Sequence, residues 1–184
     1  MAEVQLRRLA GLRNEPSTEV RPTVDLESVG SGTGRLVRPL QKGSPEGNIR
    51  FERGDVLFGK LRPYLAKSLV VSEPIHGSSE FLCMVPSPSL EARFLHYVTL
   101  STPFLEYAEA SSYGLKMPRT SWQEIGSYSI PLPPVEEQRR IADFLDDQVG
   151  RLNAVINLRE SQIENLKAAA VSRIQSAVLG RTDY

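Results

Sequence analysis

The chain of 184 residues carries no net charge, with 22 basic and 22 acidic side chains, a single cysteine and two histidines. That length fits one globular domain plus a further element, and no run approaches the ~20 consecutive apolar residues that a membrane-crossing helix requires. One cysteine and two separated histidines, His76 and His96, cannot assemble a recognisable zinc site, so no metal is expected.

Residues 1 to about 50 hold short apolar pieces broken by turn formers such as Gly30-Ser31-Gly32-Thr33-Gly34 and Lys42-Gly43-Ser44-Pro45-Glu46-Gly47, and read as irregular strands and loops. Gly54-Asp55 leads into Val56-Leu57-Phe58, a short buried strand. Leu69-Val70-Val71 and Phe81-Leu82-Cys83-Met84-Val85 are the next strands, joined by a loop through Pro74 and Gly77-Ser78-Ser79. Cys83 therefore reads as a core residue rather than a ligand or nucleophile. A helix is expected over about Leu90 to Leu100 with Ser89 as N-cap and Leu90, Phe94, Tyr97 and Val98 on one face. A second should start at Thr102-Pro103, present Phe104, Leu105 and Ala108, and close near Tyr113-Gly114. The loop Leu115-Lys116-Met117-Pro118-Arg119 and a strand near Tyr128 to Leu132 complete an α+β domain with a mixed or antiparallel sheet.

The last fifty residues differ in kind. Pro133-Pro134-Val135-Glu136-Glu137 opens a helix that runs to Leu179, with Gly180 as its stop; Glu136 and Glu137 complement the positive dipole end. Gly150 is the only glycine or proline inside it and costs about 1 kcal/mol against Ala. Steps of four and three residues link Leu145, Val149, Leu152, Ile156, Arg159, Ile163, Leu166, Ala170, Arg173 and Ala177. Eight of these ten are apolar, which is a heptad seam. At about 1.5 Å per residue the rod is roughly 65–70 Å long, more than a domain of about 130 residues can cover. The seam calls for a second helix, most simply from another copy of the chain; the alternative is an amphipathic helix lying on its own domain. The expected divisions are a globular domain over 1–133, the helix over 134–180 and a tail over 181–184.

Zero net charge conceals an uneven distribution. Between Arg35 and Lys67, eight basic residues (Arg35, Arg38, Lys42, Arg50, Arg53, Lys60, Arg62, Lys67) face three acids, whereas Ser68 to Leu115 sets Arg93 against five glutamates. A basic face on an otherwise acidic body can bind phosphate locally.

Catalytic patterns are missing. There is no Gly-rich loop for a methionine-derived cofactor, and Leu132-Pro133-Pro134-Val135 lacks the flanks of a base-gripping motif and reads as a helix start. Glu136-Glu137 and Asp146-Asp147 are adjacent pairs on a helix, so their side chains diverge instead of converging on a metal. Neither histidine accompanies a nucleophile elbow, and phosphate-loop patterns are absent. What remains is Lys60, Arg62, Tyr64 and Lys67 just beyond a buried strand, a mixture of cations and an aromatic suited to nucleic-acid contact or to capping turns. The Gly-hinged stretch Ser111 to Arg119, with Tyr113, Lys116 and Arg119, could enter a groove or clamp the domain onto the rod.

Gly54-Asp55-Val56-Leu57-Phe58-Gly59-Lys60-Leu61-Arg62-Pro63-Tyr64-Leu65-Ala66-Lys67 resembles the early motif of a target recognition domain from the specificity subunits of type I restriction–modification systems. The similarity continues through Gly77-Ser78-Ser79-Glu80-Phe81-Leu82 and Gly114-Leu115-Lys116-Met117-Pro118-Arg119. It extends over Ile130-Pro131-Leu132-Pro133-Pro134 with Glu137-Gln138-Arg139-Arg140-Ile141-Ala142, where such a domain meets its spacer helix, and ends with Leu179-Gly180-Arg181-Thr182-Asp183. The resemblance implies a chain that reads DNA sequence without catalysing anything. Methylation and ATP-dependent cleavage would belong to separate modification and restriction subunits, and S-adenosylmethionine, ATP and Mg to those partners; no cofactor is expected on this chain. Members of the family carry two recognition domains and two spacer helices that pair antiparallel, whereas one of each is present here.

The combined expectation is a homodimer paired antiparallel through the Leu145–Ala177 seam, reading a split palindrome with a fixed spacer. Arg159 and Arg173 either fix its register or snorkel outward. Lys60, Arg62, Tyr64, Lys67, Tyr113, Lys116 and Arg119 are the expected DNA contacts. The competing expectation is a coiled-coil adaptor whose globular head binds protein. The Met-Ala-Glu start shows no signal pattern, so the expected location is the cytoplasm.

Overall fold

The computed structural model describes residues 3–179 and divides the chain into two compact units, Met1–Ala142 and Asp143–Tyr184. In chain order the strands are β1 (Glu3–Gln5), β2 (Ala10–Arg13), β3 (Arg21–Val24), β4 (Gln41–Gly43), β5 (Ile49–Phe51), β6 (Val56–Gly59), β7 (Ser68–Val70), β8 (Ile75–Gly77) and β9 (Phe81–Pro86). Helices α1 (Ala92–Leu100), α2 (Thr102–Ala110) and α3 (Trp122–Ile125) follow, then β10 (Ser129–Pro131) and the 44-residue α4 (Val135–Val178). The α+β class with a long helix at the end is as the sequence implied.

In the first unit, two four-stranded sheets, β2-β9-β6-β7 and β4-β3-β8-β5, stack on each other. Alternation along a strand sends successive side chains to opposite faces. Val56, Phe58, Leu82 and Met84 therefore meet Leu95, Phe104, Ile125 and Ile130 on the helical side. Leu57, Phe81 and Cys83 meet Val24, Phe51 and Ile75 of the second sheet. Burial on both faces is why β6 and β9 read as continuous apolar runs. Cys83 is buried as expected, its thiol pushed upward by burial and held near Asp55, which also accepts from Arg13 at 2.8 Å.

The sheet beneath is mixed. β8 runs parallel to β3 and antiparallel to β5, with Val24 opposite Gly77. A Cβ on Gly77 would stand 2.4 Å from the Val24 carbonyl oxygen, so only glycine allows this approach. The sequence reading made Gly77 part of a loop. It is strand because the neighbouring His76 is fully buried, bonding Ser17 Oγ at 3.0 Å and Thr23 Oγ1 at 2.7 Å. Burial, with Arg21 nearby, pushes its imidazole pKa down.

Helix boundaries also differ from expectation. The N-cap of α1 is Glu91, not Ser89: the Glu91 carboxylate accepts from Phe94 N at 2.7 Å, while the Ser89 carbonyl is taken by Gln138. Helix α2 starts at Thr102 as expected, with Ser101 as its N-cap, but stops at Ala110 rather than near Gly114. The short α3 carried no periodic signal because it is a single turn, capped by the Ser121 side chain. β1 and β10 pair antiparallel, Val4 opposite Ile130, which draws the start of the chain beside the segment that enters α4.

The opening of α4 is fixed by Gln138, which is fully buried. Its Oε1 accepts from Glu91 N at 2.8 Å, and its Nε2 donates to the carbonyls of Ser89 at 2.9 Å and Pro133 at 2.8 Å. One amide thus satisfies three backbone groups at once. The Pro134 carbonyl accepts from Glu137 N and Gln138 N, so the helix starts where the proline pair indicated. Gly180 and the 181–184 tail lie outside the described residues, with most of the Leu179–Asp183 ending.

In the second unit the helix is solvent-facing around its circumference, and Leu152, Ile156, Ile163 and Leu166 are each at least half exposed. Surface pairs such as Arg151–Asp147 at 3.0 Å and Lys167–Glu164 at 2.9 Å contribute a few tenths of a kcal/mol each. No helix among the described residues is long and apolar enough to cross a membrane.

Replacing Gln138 by Leu should lower the stability of the first unit by about 2–3 kcal/mol, because the buried Pro133 O and the part-buried Glu91 N and Ser89 O all lose their side-chain partner. A urea midpoint that does not move would show that this amide is dispensable.

Candidate nucleic-acid interface

Strand β6 ends at Gly59, and the chain then leaves the core along a second set of backbone bonds. Lys60 N donates to Glu80 O at 2.8 Å, Thr120 N to Lys60 O at 3.0 Å and Arg62 N to Pro118 O at 2.7 Å. Leu61 bridges Arg119, and Tyr113 and Arg119 exchange reciprocal bonds of 2.9 Å that close the loop between them. Two segments distant in sequence, Lys60–Lys67 and Tyr113–Arg119, are thereby one surface.

Both halves contain backbone held left-handed. Pro63–Leu65 forms a single 3-10 turn bounded by Arg62 at φ 51° and Ala66 at φ 49°. Non-glycine residues adopt this region at a cost of roughly 1–2 kcal/mol each, and such strain concentrates where function demands a geometry. Gly114 has φ 94°, and a Cβ there would meet the Met117 carbonyl oxygen at 3.1 Å, so the loop tip is narrow.

The seven residues expected to contact DNA divide into two groups. Lys60 donates to the Ser79 carbonyl, Lys67 to the Leu26 carbonyl, and Arg119 grips Glu80 at 2.9 Å. Burial pushes the Lys60 ammonium below its ordinary range; Glu80 opposes that and Arg119 adds to it. These three cations hold loops in place. Arg62 and Lys116 are exposed and make no side-chain hydrogen bond or ion pair among the described residues. Tyr64 and Tyr113 are also exposed, 46% and 61%. Arg62, Tyr64, Tyr113 and Lys116 thus form the accessible part of the surface.

Sequence reasoning passed over Leu115 and Met117, which stand exposed on the same loop, because apolar residues beside a cation look like ordinary loop composition. It also passed over the loop bearing the exposed Arg35, tied to the turn by a bond from Gly32 N to Ala66 O at 3.1 Å. The basic excess between Arg35 and Lys67 was the signal for it. Arg38 is engaged with Asp25 at 2.8 Å. Among the described residues no cluster of three or more His, Cys, Asp or Glu could hold a metal ion.

Residues 46–165, which include both halves of this surface and the opening of α4, match the family described as Type I restriction modification DNA specificity domain. The chain belongs to that family. It is 24% identical over 143 residues to the type I restriction enzyme EcoDI specificity subunit of Escherichia coli, covering 77% of this chain and 30% of the relative. To the HindI specificity subunit of Haemophilus influenzae it is 28% identical over 121 residues, covering 61% and 26%. Among solved structures, it is similar to the HsdS subunit from Thermoanaerobacter tengcongensis with a TM-score of 0.70 and 25% identity, over 91% of this chain and 46% of that one. A chain in a structure concerned with complex assembly and conformational transition of the type I R-M system gives a TM-score of 0.74 at 25% identity, over 94% and 49%. The chain spans half or less of the length of these relatives.

Replacing Ala66 by Gly should raise stability by about 1 kcal/mol, since the left-handed backbone no longer carries a Cβ. Arg62→Gly should act in the same direction. Thermal denaturation checks both, and a loss of stability in each would show that the two conformations are unstrained.

Proposed function

We propose that this chain recognises a DNA sequence as a specificity subunit of a type I restriction–modification complex and is itself non-catalytic. The observation that carries the reading is the pinned surface on which Arg62, Lys116, Tyr64 and Tyr113 face solvent together, within the span matched by the specificity-domain family. Cations without internal partners are free to replace the counterions of phosphates, and aromatic edges can meet sugars or bases. Lys60, Lys67 and Arg119 act by shaping that surface, so their loss would weaken binding indirectly.

In this reading two copies pair antiparallel through α4, which spaces two half-sites and helps dock modification subunits. Those subunits supply S-adenosylmethionine-dependent methylation, and restriction subunits supply ATP- and Mg-dependent cleavage. The exposed apolar residues of α4 support such a pairing, because an unpaired helix would leave them in water. The stripe is also broader than the heptad seam. Leu152, Ile163 and Ile174 recur at eleven-residue spacing, as do Val155, Leu166 and Ala177. An eleven-residue repeat follows the natural winding of an α-helix more closely than seven does. It brings in Ile174, whereas the heptad register uses Arg173, so one buried cation fewer has to be accommodated.

Duplex binding by the full chain should weaken steeply as salt rises, and each of Arg62→Ala and Lys116→Ala should reduce the slope of log affinity against log salt by about 1. Salt-independent binding, or none, would sink the reading. Separately, Leu152→Asp combined with Ile163→Asp should give monomers by light scattering; a dimer surviving the double change would remove α4 as the dimer contact.

A further inference from the structure

We propose that Leu115 is an apolar wedge that enters duplex DNA and parts a base step. The proposal rests on the DNA-recognition reading above and specifies how the loop engages its ligand. Leu115 is the outlier of the surface: its relative exposure is 106%, more than in an extended peptide, while Met117 two residues on is 53% exposed. Single exposed apolar residues are common on proteins and explain nothing alone. Three further features distinguish this one.

The loop is built to hold its tip outward. Tyr113 and Arg119 close its base with paired 2.9 Å bonds, Arg62 N binds Pro118 O at 2.7 Å, and Arg119 is locked to Glu80 at 2.9 Å. A tip fixed in advance loses little conformational freedom on insertion. The turn is also narrow, because Gly114 sits at φ 94° where a side chain would crowd the Met117 carbonyl. Finally, the apolar tip is flanked by charge of one sign. Lys116 lies between Leu115 and Met117, and Arg62 stands beside the loop across its bond to Pro118.

An apolar point between cations complements a stack of bases between two lines of phosphate. Leu and Met are among the side chains that act as wedges in duplexes, unstacking a step and kinking the helix. An apolar pocket on a protein partner would have to be rimmed by acids to suit the same loop, and that occupant is distinguished by the test.

The full chain is used to select duplexes from a randomised pool, and the selected sequence is then scanned with 2-aminopurine at each position. Fluorescence should rise at one step or two adjacent ones on binding. Leu115→Ala should abolish the rise and weaken affinity about ten- to a hundredfold, as expected for removing a buried Leu side chain from the complex. Leu115→Met should keep the rise at the same step. Arg62→Ala should weaken binding without moving it. A bound duplex with no rise anywhere, or a rise that persists in Leu115→Ala, overturns the wedge while leaving DNA recognition intact. A Leu115→Ala chain that binds DNA unchanged but loses a protein partner likewise overturns it. Failure to select any duplex overturns the DNA reading, and the wedge with it.

Discussion

Strands β6 and β9 are covered on both faces, by helices on one side and by the second sheet on the other, so none of Val56–Gly59 can reach solvent. The chain can present a functional side chain only after it has passed Gly59. Everything about the candidate interface follows from this exit. Lys60, Leu61 and Arg62 leave the sheet still hydrogen-bonded, but now to Glu80, Thr120 and Pro118 instead of to a continuing core strand. The rigid sheet thus ends in a rigid loop cluster, and the accessible residues inherit positions set by buried ones.

That inheritance separates cations that look alike in sequence. Lys60 and Lys67 spend their ammonium groups on backbone carbonyls, and Arg119 spends its guanidinium on Glu80. Arg62 and Lys116 are left to face water. The strained conformations at Arg62 and Ala66 fit the same picture, because a tight turn between two left-handed residues redirects the chain abruptly at the edge of the core. Strain at that point is tolerable only because the surrounding bonds over-determine the geometry.

The long helix depends on a second constraint. A helix of 44 residues has the means to propagate once started, yet its starting point must be specified. Gln138 does this by satisfying Glu91, Ser89 and Pro133 together, so that the first turn of α4 is also part of the core of the first unit. The Glu-Gln pair in the junction motif therefore has a physical reason: the glutamate complements the dipole, and the buried glutamine bonds three backbone groups.

Much of this was legible along the chain. The apolar runs of β6 and β9 and the proline-marked start of α4 are local signals, and local signals survive because propensity and periodicity act over a few residues. The strand at Ile75–Gly77 was hidden because its evidence is the parallel neighbour β3, fifty residues earlier, and a buried histidine satisfied by two distant hydroxyls. The same limit applied to the interface. Composition could nominate Lys60, Arg62, Tyr64, Lys67, Tyr113, Lys116 and Arg119 as a group, since charge and aromatic content are properties of the chain itself. Which of them hold loops and which face outward was decided by long-range backbone bonds between Lys60–Arg62 and Tyr113–Arg119, and by Glu80 and Ser79 arriving from a third segment. Pairing between residues far apart is a property of the folded state, and it alone turned a list of cations into a surface with Leu115 at its tip.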